Sequence, residues 1–143
     1  MKKTMSFKRT LLFAALALSL AAQTKETFKT RLTATPADAR TRAALAGSGV
    51  ASATLSGTKL TVTGSFEDLV SPATSASLHS AVAAGVRGPA IADLTISKAV
   101  SGTISGSVDL TPQQMTSLHK GGIYVLINSE KAPDGVLWGW LLQ

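Results

Sequence analysis

Short runs of alternating apolar and polar residues, separated by glycine-containing turns, dominate the chain from residue 49 onward. In the run 59–66 (KLTVTGSF) every second residue is apolar or glycine, as in a strand with one buried face. The run 50–55 precedes it, and the turn signal at Gly57 predicts that the two form a hairpin. Further strands are predicted over 74–80, 90–96, 103–110, 123–127 and 136–142. About seven short strands at regular spacing favour an all-β, antiparallel, Greek-key-like β-sandwich.

One segment departs from this alternation. Thr111 and Gln114 have the spacing of a helix capping box, and Pro112 occupies the first helical position. Gly121-Gly122 can supply the left-handed residue that ends a helix. The sequence therefore predicts one short helix near 112–120.

The first 21 residues have the pattern of a secretory signal peptide. The apolar run 11–20 is preceded by four positive charges, at Lys2, Lys3, Lys8 and Arg9. This run is about half as long as a membrane span requires. We expect cleavage before Ala22 or Gln23, export to the periplasm or the extracellular space, and no membrane span after cleavage. An uncleaved N-terminal anchor helix is the alternative.

The formal net charge of +6 suggests an anionic partner, but the leader accounts for much of it. Without residues 1–21, ten basic residues face eight acidic ones. The segment 22–47, expected to be an N-terminal arm or a short helix, has a loose basic group interrupted by Glu26 and Asp38: Lys25, Lys29, Arg31, Arg40 and Arg42. No aromatic residues are interleaved for stacking on bases, so no nucleic-acid partner is predicted. The absence of cysteine excludes disulfides and cysteine-based sites.

The C-terminal two thirds of the chain contain an ordered set of short motifs: 49–55 (GVASATL), 76–79 (ASLH), 88–89 (GP), 110–114 (LTPQQ), 121–125 (GGIYV) and 132–139 (APDGVLWG). Together they resemble the CHRD domain, a module named for its repeats in chordin and carried singly by many bacterial secreted proteins. The resemblance implies a secreted β-sandwich domain over 48–143, without an established activity. The positions that fall on family motifs are Ser77, His79, Gly88, Pro89, Tyr124, Asn128, Pro133, Gly135 and Gly139, although Ser77 and the segment around Asn128 differ from the residues that the family often has there.

The resemblance also bears on metal binding. The family often has His-x-His at 77–79 and Asn-x-His-Thr near 126–129, so His79 is the one family histidine that remains here. A copper or zinc site similar in plan to that of copper-zinc superoxide dismutase would be reduced to His79 and Asn128, with Asp93 as a further candidate. We predict no metal and no cofactor. An eroded metal site is the alternative, and a hydrogen-bonded structural role for His79 is the simpler interpretation.

Catalytic signatures are weak. Ser77 and His79 share a strand face, and Asp93 or Asp109 could complete a Ser–His–Asp set. Ser77, however, occupies a position where the family often has histidine, and no Gly-x-Ser-x-Gly elbow occurs. We therefore expect a non-catalytic binding or structural module rather than an enzyme.

The final predicted strand has an unusual face. Alternation places Val136, Trp138 and Trp140 on one side, where the family pattern has polar residues. Tryptophan contributes large apolar area to interfaces, so this side is a candidate contact surface for a protein or carbohydrate partner. The alternative is that the segment 22–47 folds over it, because large exposed apolar patches are uncommon on monomers. The sequence does not indicate an oligomeric state.

Overall fold

A computed structural model describes residues 24–143, in which eight antiparallel strands close into a barrel. The barrel order is β1-β2-β3-β6-β5-β4-β7-β8, and β8 returns to β1. The signal-peptide prediction lies outside the described residues. The elements are β1 (Lys25–Ala34), β2 (Ser48–Ser56), β3 (Lys59–Glu67), β4 (Ala73–Ser80), β5 (Ala90–Ile96), β6 (Gly102–Asp109), α1 (Pro112–His119), β7 (Ile123–Ser129) and β8 (Leu137–Trp140).

The predicted all-β antiparallel class with one short helix is confirmed, but the sandwich of about seven strands is wrong, because an eighth strand, β1, closes the sheet into a barrel. The segment 22–47 is not an arm or a short helix as the sequence predicts: its residues 25–32 pair with β2 along eight positions. Its inward side chains Phe28 and Leu32 are each 1% exposed. The domain therefore begins before residue 48. The remainder of the segment contains one turn of 3-10 helix, Arg42–Ala44.

Closure of the barrel depends on a short pairing between β1 and β8. Thr33 and Trp138 are register partners, as are Ala34 and Leu137. Gly139 makes the close approach possible, since a Cβ there would lie 2.5 Å from the carbonyl oxygen of Arg31. A closed sheet has no free edge to pair with other chains.

The other local predictions are confirmed. β2 and β3 form a nine-pair hairpin around Gly57, whose φ is +62°. In the capping box of α1, the Thr111 hydroxyl accepts a hydrogen bond from the backbone N–H of Gln114 (3.2 Å), and the Gln114 side chain accepts one from the N–H of Thr111 (3.0 Å).

The barrel interior is filled by apolar side chains from all eight strands, and Leu118 of α1 joins the same core. At the C-terminal end of α1, His119 pairs with Glu26 of β1, so the helix packs beside the start of β1. Within residues 24–143 no helix is long and apolar enough to cross a membrane.

Candidate functional site

Aromatic side chains gather on the outside of the barrel, where β4, β7 and β8 lie side by side. The register sets His79 opposite Tyr124 and Tyr124 opposite Trp140, with Trp138 in the next row opposite Leu126. Because side chains alternate across a strand, these five residues project from one face. We call them the aromatic face. They form a cluster separate from the barrel core, in which Tyr124 and Leu126 are buried and both tryptophans are partly exposed.

The rings of the aromatic face contact one another directly. The centroids of Tyr124 and Trp140 are 4.7 Å apart, and those of Trp138 and Trp140 are also 4.7 Å apart with planes at 70°. Tyr124 meets Trp138 edge to face at 6.0 Å. Edge-to-face and tilted arrangements are the favourable ones for aromatic pairs. The two tryptophans are therefore held in a fixed relative orientation.

His79 connects this face to the loop that follows β4. Its Nδ1 lies 2.8 Å from the carbonyl oxygen of Gly88, and its Nε2 lies 2.8 Å from the hydroxyl of Ser77. A carbonyl oxygen can only accept, so Nδ1 carries a proton; in the neutral imidazole, Nε2 then accepts from Ser77. Both ring nitrogens form hydrogen bonds, which agrees with the prediction that His79 has a hydrogen-bonded structural role.

Tyr124 and Arg87 hold the same loop against the aromatic face. The Tyr124 hydroxyl accepts from the backbone N–H of Gly88 (3.0 Å) and donates to its carbonyl (3.3 Å). Arg87 places its guanidinium 5.6 Å from the ring centroid of Trp138 and donates to the carbonyl of Asp134 (2.8 Å). Gly88 permits the loop to approach, since a Cβ there would lie 1.9 Å from the carbonyl oxygen of Ser80.

The sequence interpretation of this strand requires two corrections. Val136 does not belong to the contact surface: it precedes β8, follows Gly135 with φ +124°, and is fully buried in the barrel core. The segment 22–47 is not an arm folded over the tryptophans, because its residues 25–34 are a strand of the barrel wall in which Thr33 pairs with Trp138. The loop carrying Arg87 and Gly88 contacts the face.

Of the candidate metal ligands, His79 and Asn128 are not brought together, and Asp93 lies opposite Ser77 on β5. His79 lies opposite Tyr124, whereas Asn128 lies opposite Ser75, four residues away along β4 and thus about 13 Å distant. The Asn128 amide nitrogen donates to Ser75 (3.0 Å), and its buried side-chain oxygen has no hydrogen-bond partner in the described part of the chain. Among residues 24–143, no group of three or more histidine, cysteine, aspartate or glutamate residues could hold a metal ion.

The Ser–His–Asp set considered from sequence does not assemble around His79. Its Nδ1 faces a backbone carbonyl rather than a carboxylate. Asp93 is the register partner of Ser77, whereas Asp109 is the partner of Lys59 on β3. What the residues form instead is a hydrogen-bonded bridge from β4 to the loop.

The remaining motif positions shape the turn before β8. Pro133 and Gly135 lie in a turn closed by a hydrogen bond from the Gly135 N–H to the Ala132 carbonyl (3.1 Å). Thr35, just after β1, donates to the Gly135 carbonyl (2.9 Å). The sequence interpretation missed Arg87, since a single arginine in a glycine-rich loop has no pattern that points to a tryptophan 51 positions later.

Comparison with known proteins gives one family. A family model described as "CHRD domain" matches residues 21–141, a range that includes β1. No curated protein and no solved structure matches the chain significantly.

Proposed function

Because the chain belongs to the CHRD domain family, we propose that it is an exported, non-catalytic binding module that contacts a protein or carbohydrate partner through the aromatic face. The family is typically extracellular, which supports export. The observation that carries the proposal is that Trp138 and Trp140 are on the outside of the barrel and keep part of their surface in solvent.

The arrangement of the tryptophans supports a binding role better than a core role. The barrel core is a different cluster and is already filled by side chains from the inward faces. Outward positions of a sheet are ordinarily polar, so two adjacent tryptophans there leave apolar area exposed at a cost in solvation. Rigid aromatic side chains lose little conformational entropy on binding and are enriched where interfaces derive most of their affinity.

The surroundings of Ser77 support a non-catalytic role. A serine nucleophile requires a base oriented by a third group and donors for a developing oxyanion. His79 is oriented by the Gly88 carbonyl, and Ser77 lies mid-strand, paired with both β5 and β7. Backbone N–H groups in a central strand are largely committed to the sheet.

Intrinsic fluorescence tests the proposal directly, because the chain has two tryptophans and both belong to the aromatic face. We expect acrylamide to quench the emission, and a bound partner to protect against quenching. Suitable probes are insoluble polysaccharides, such as chitin and cellulose, and the proteins of the source organism's own exported fraction.

A double variant, Trp138→Ala with Trp140→Ala, should lose retention on the probe that binds. Val100→Ala, which shortens an exposed apolar side chain in the loop between β5 and β6, is the control and should retain it. Unchanged retention and oligomeric state, with a fall of several kcal/mol in unfolding free energy, would show that the tryptophans are only structural.

A further inference from the structure

A second surface, different in chemistry from the aromatic face, covers the outside of β1, β2, β3 and β6. On β2, β3 and β6 the outward positions alternate with inward ones that are buried or half-buried. Apart from Val50, every uncharged outward residue on these three strands is serine or threonine. We call this surface the hydroxyl face. It presents a dense array of groups that can both donate and accept hydrogen bonds.

β1 adds positive charge along one side of the hydroxyl face. Lys25, Lys29 and Arg31 all occupy outward, exposed positions. Glu26, which interrupts this group in the sequence, does not interrupt it in space, because it turns toward α1 and pairs with His119. Within residues 24–143, none of the three cations has a carboxylate within 4.0 Å. Strand alternation thus places the three cations on the hydroxyl face and Glu26 on the opposite side of β1.

The remaining charges on this face leave it cationic. β3 adds one further cation, Lys59, at its first residue. The two outward carboxylates, Glu67 and Asp109, are the last residues of β3 and β6. Four cations therefore face two carboxylates on the strands and a third, Asp68, just beyond the end of β3, and all three carboxylates lie at strand ends.

The shape of the surface fits an extended ligand. Small side chains on β2 and β3 leave a groove of about 570 Å³ beside Lys29 and Arg31, with Ser52 and Thr63 in its wall. Arg31 and Val50 also line a second hollow of about 520 Å³ toward the ends of β1 and β3, but Glu67 and Asp68 lie in its wall, so this hollow is not cationic. The two hollows adjoin at Arg31 and Val50, and the groove with net positive charge is the first one, beside Lys29 and Arg31.

We propose that this groove binds a linear anionic polysaccharide. Lys29 and Arg31, two residues apart on one strand and so roughly 7 Å from each other, would contact successive carboxylate or sulfate groups. The serine and threonine hydroxyls would exchange hydrogen bonds with sugar hydroxyls, and Val50, 54% exposed, would contact the apolar face of a ring. This proposal does not depend on the aromatic face.

Other anionic partners fit the surface less well. The outward positions of β1, β2, β3 and β6 contain no aromatic residue on which a nucleic-acid base could stack. A lipid surface would require apolar side chains that insert, and Val50 is the one large apolar side chain on these positions.

The test uses dextran sulfate, with unsulfated dextran as the matched neutral polymer and single-stranded DNA and anionic phospholipid vesicles as the competing anions. We expect the purified protein to bind dextran sulfate, with an affinity that falls as salt rises. The double variant Lys29→Gln/Arg31→Gln should weaken binding about tenfold at low salt and lower the salt slope by about 1 per lost cation. Lys98→Gln/Lys131→Gln, an equal charge change at exposed positions outside this face, should bind as the parent does.

Each outcome decides the proposal. Equal losses in the two double variants would mean that net charge, not the groove, is responsible. Tighter binding to DNA or to vesicles than to dextran sulfate would assign the face to those partners instead. As a second check on geometry, Thr63→Glu places a negative charge in the wall of the groove and should abolish binding without changing the unfolding transition, since Thr63 is exposed.

Discussion

The imidazole of His79 lies over the ring of Tyr124, with centroids 4.9 Å apart and planes 18° from parallel. Both residues hydrogen-bond the backbone of Gly88, one through Nδ1 and the other through its hydroxyl. Two residues from neighbouring strands thus hold the same point of the loop after β4. These contacts hold the loop against the aromatic face at Gly88, next to Arg87, which lies over Trp138.

Removing the Tyr124 hydroxyl should loosen this loop. In Tyr124→Phe the Gly88 N–H loses its partner, and we expect unfolding free energy to fall by about 1–2 kcal/mol. Ser77→Ala is the matched control. The hydrogen bond that it removes is only part-buried, so a water molecule can replace the Ser77 hydroxyl at the Nε2 of His79, and unfolding free energy should fall by less than about 1 kcal/mol. Chemical denaturation of both variants measures the difference, and equal midpoints would contradict the assigned role of the hydroxyl.

Gly88 and Gly85, in the same loop, should respond differently to alanine. At Gly88 a Cβ would lie 1.9 Å from a backbone oxygen that cannot move aside, so Gly88→Ala should cost about 2–3 kcal/mol or displace the loop. At Gly85 nothing lies within 4 Å, and only its φ of +81° opposes alanine, at about 1 kcal/mol. Thermal unfolding ranks the two variants, and a larger cost at Gly85 would contradict the described loop geometry.

Local features of the fold could be predicted because their causes are local. The hairpin at Gly57 and the capping box of α1 each depend on residues within a few positions of one another. The strand β1 could not be recognised, since only Phe28 and Leu32 among its inward positions are large and apolar. Without β1, the remaining seven strands cannot be recognised as a closed barrel, and their spacing predicts a sandwich.

Closure and site assembly depend on contacts between distant parts of the chain. The pairing of Thr33 with Trp138 closes the barrel, and no periodicity along the chain encodes it. Alternation correctly placed the two tryptophans together on one face, but it wrongly included Val136, which precedes the strand and follows a residue with positive φ. That the tryptophans pack against Tyr124 follows from strand order, which the sequence pattern alone does not determine.

The pH dependence of Asp38 follows from its hydrogen bonds. Its carboxylate accepts from the backbone N–H of Thr41 (2.9 Å), from that of Arg40 (2.7 Å) and from the Thr41 hydroxyl (3.1 Å). These bonds, the one from the Thr41 N–H foremost, hold the pKa of Asp38 below its ordinary value of 3.8.

Because the pKa is lower in the folded state, the stabilisation from Asp38 is present above the ordinary value of 3.8 and is lost as pH falls through the lower folded value. Following the amide resonances of Arg40 and Thr41 by NMR should give a midpoint below 3.8. Asp38→Asn should remove that titration. A midpoint at or above the ordinary value would contradict the assigned hydrogen bonds.

The contact between Trp138 and Trp140 should give a spectroscopic signature of its own. Two indoles held edge to face at 4.7 Å couple their transitions, so the parent should show an exciton couplet in the far-ultraviolet circular dichroism spectrum. Because the chain has two tryptophans, either Trp138→Phe or Trp140→Phe should abolish the couplet, whereas Tyr124→Phe should preserve it. A couplet that persists in a single-tryptophan variant would show that the signal arises elsewhere.

The two phenylalanine variants should also differ in stability. Trp138→Phe weakens the contact with the Arg87 guanidinium, at a cost of about 0.5–1 kcal/mol beyond the loss of apolar area. Trp140→Phe removes a buried indole N–H that has no hydrogen-bond partner among residues 24–143, and the removal of an unsatisfied donor offsets part of the lost packing. Chemical denaturation should therefore rank Trp138→Phe as the less stable variant. The opposite ranking would mean that the Trp140 indole N–H does have a partner, a water molecule or a carbonyl, in solution.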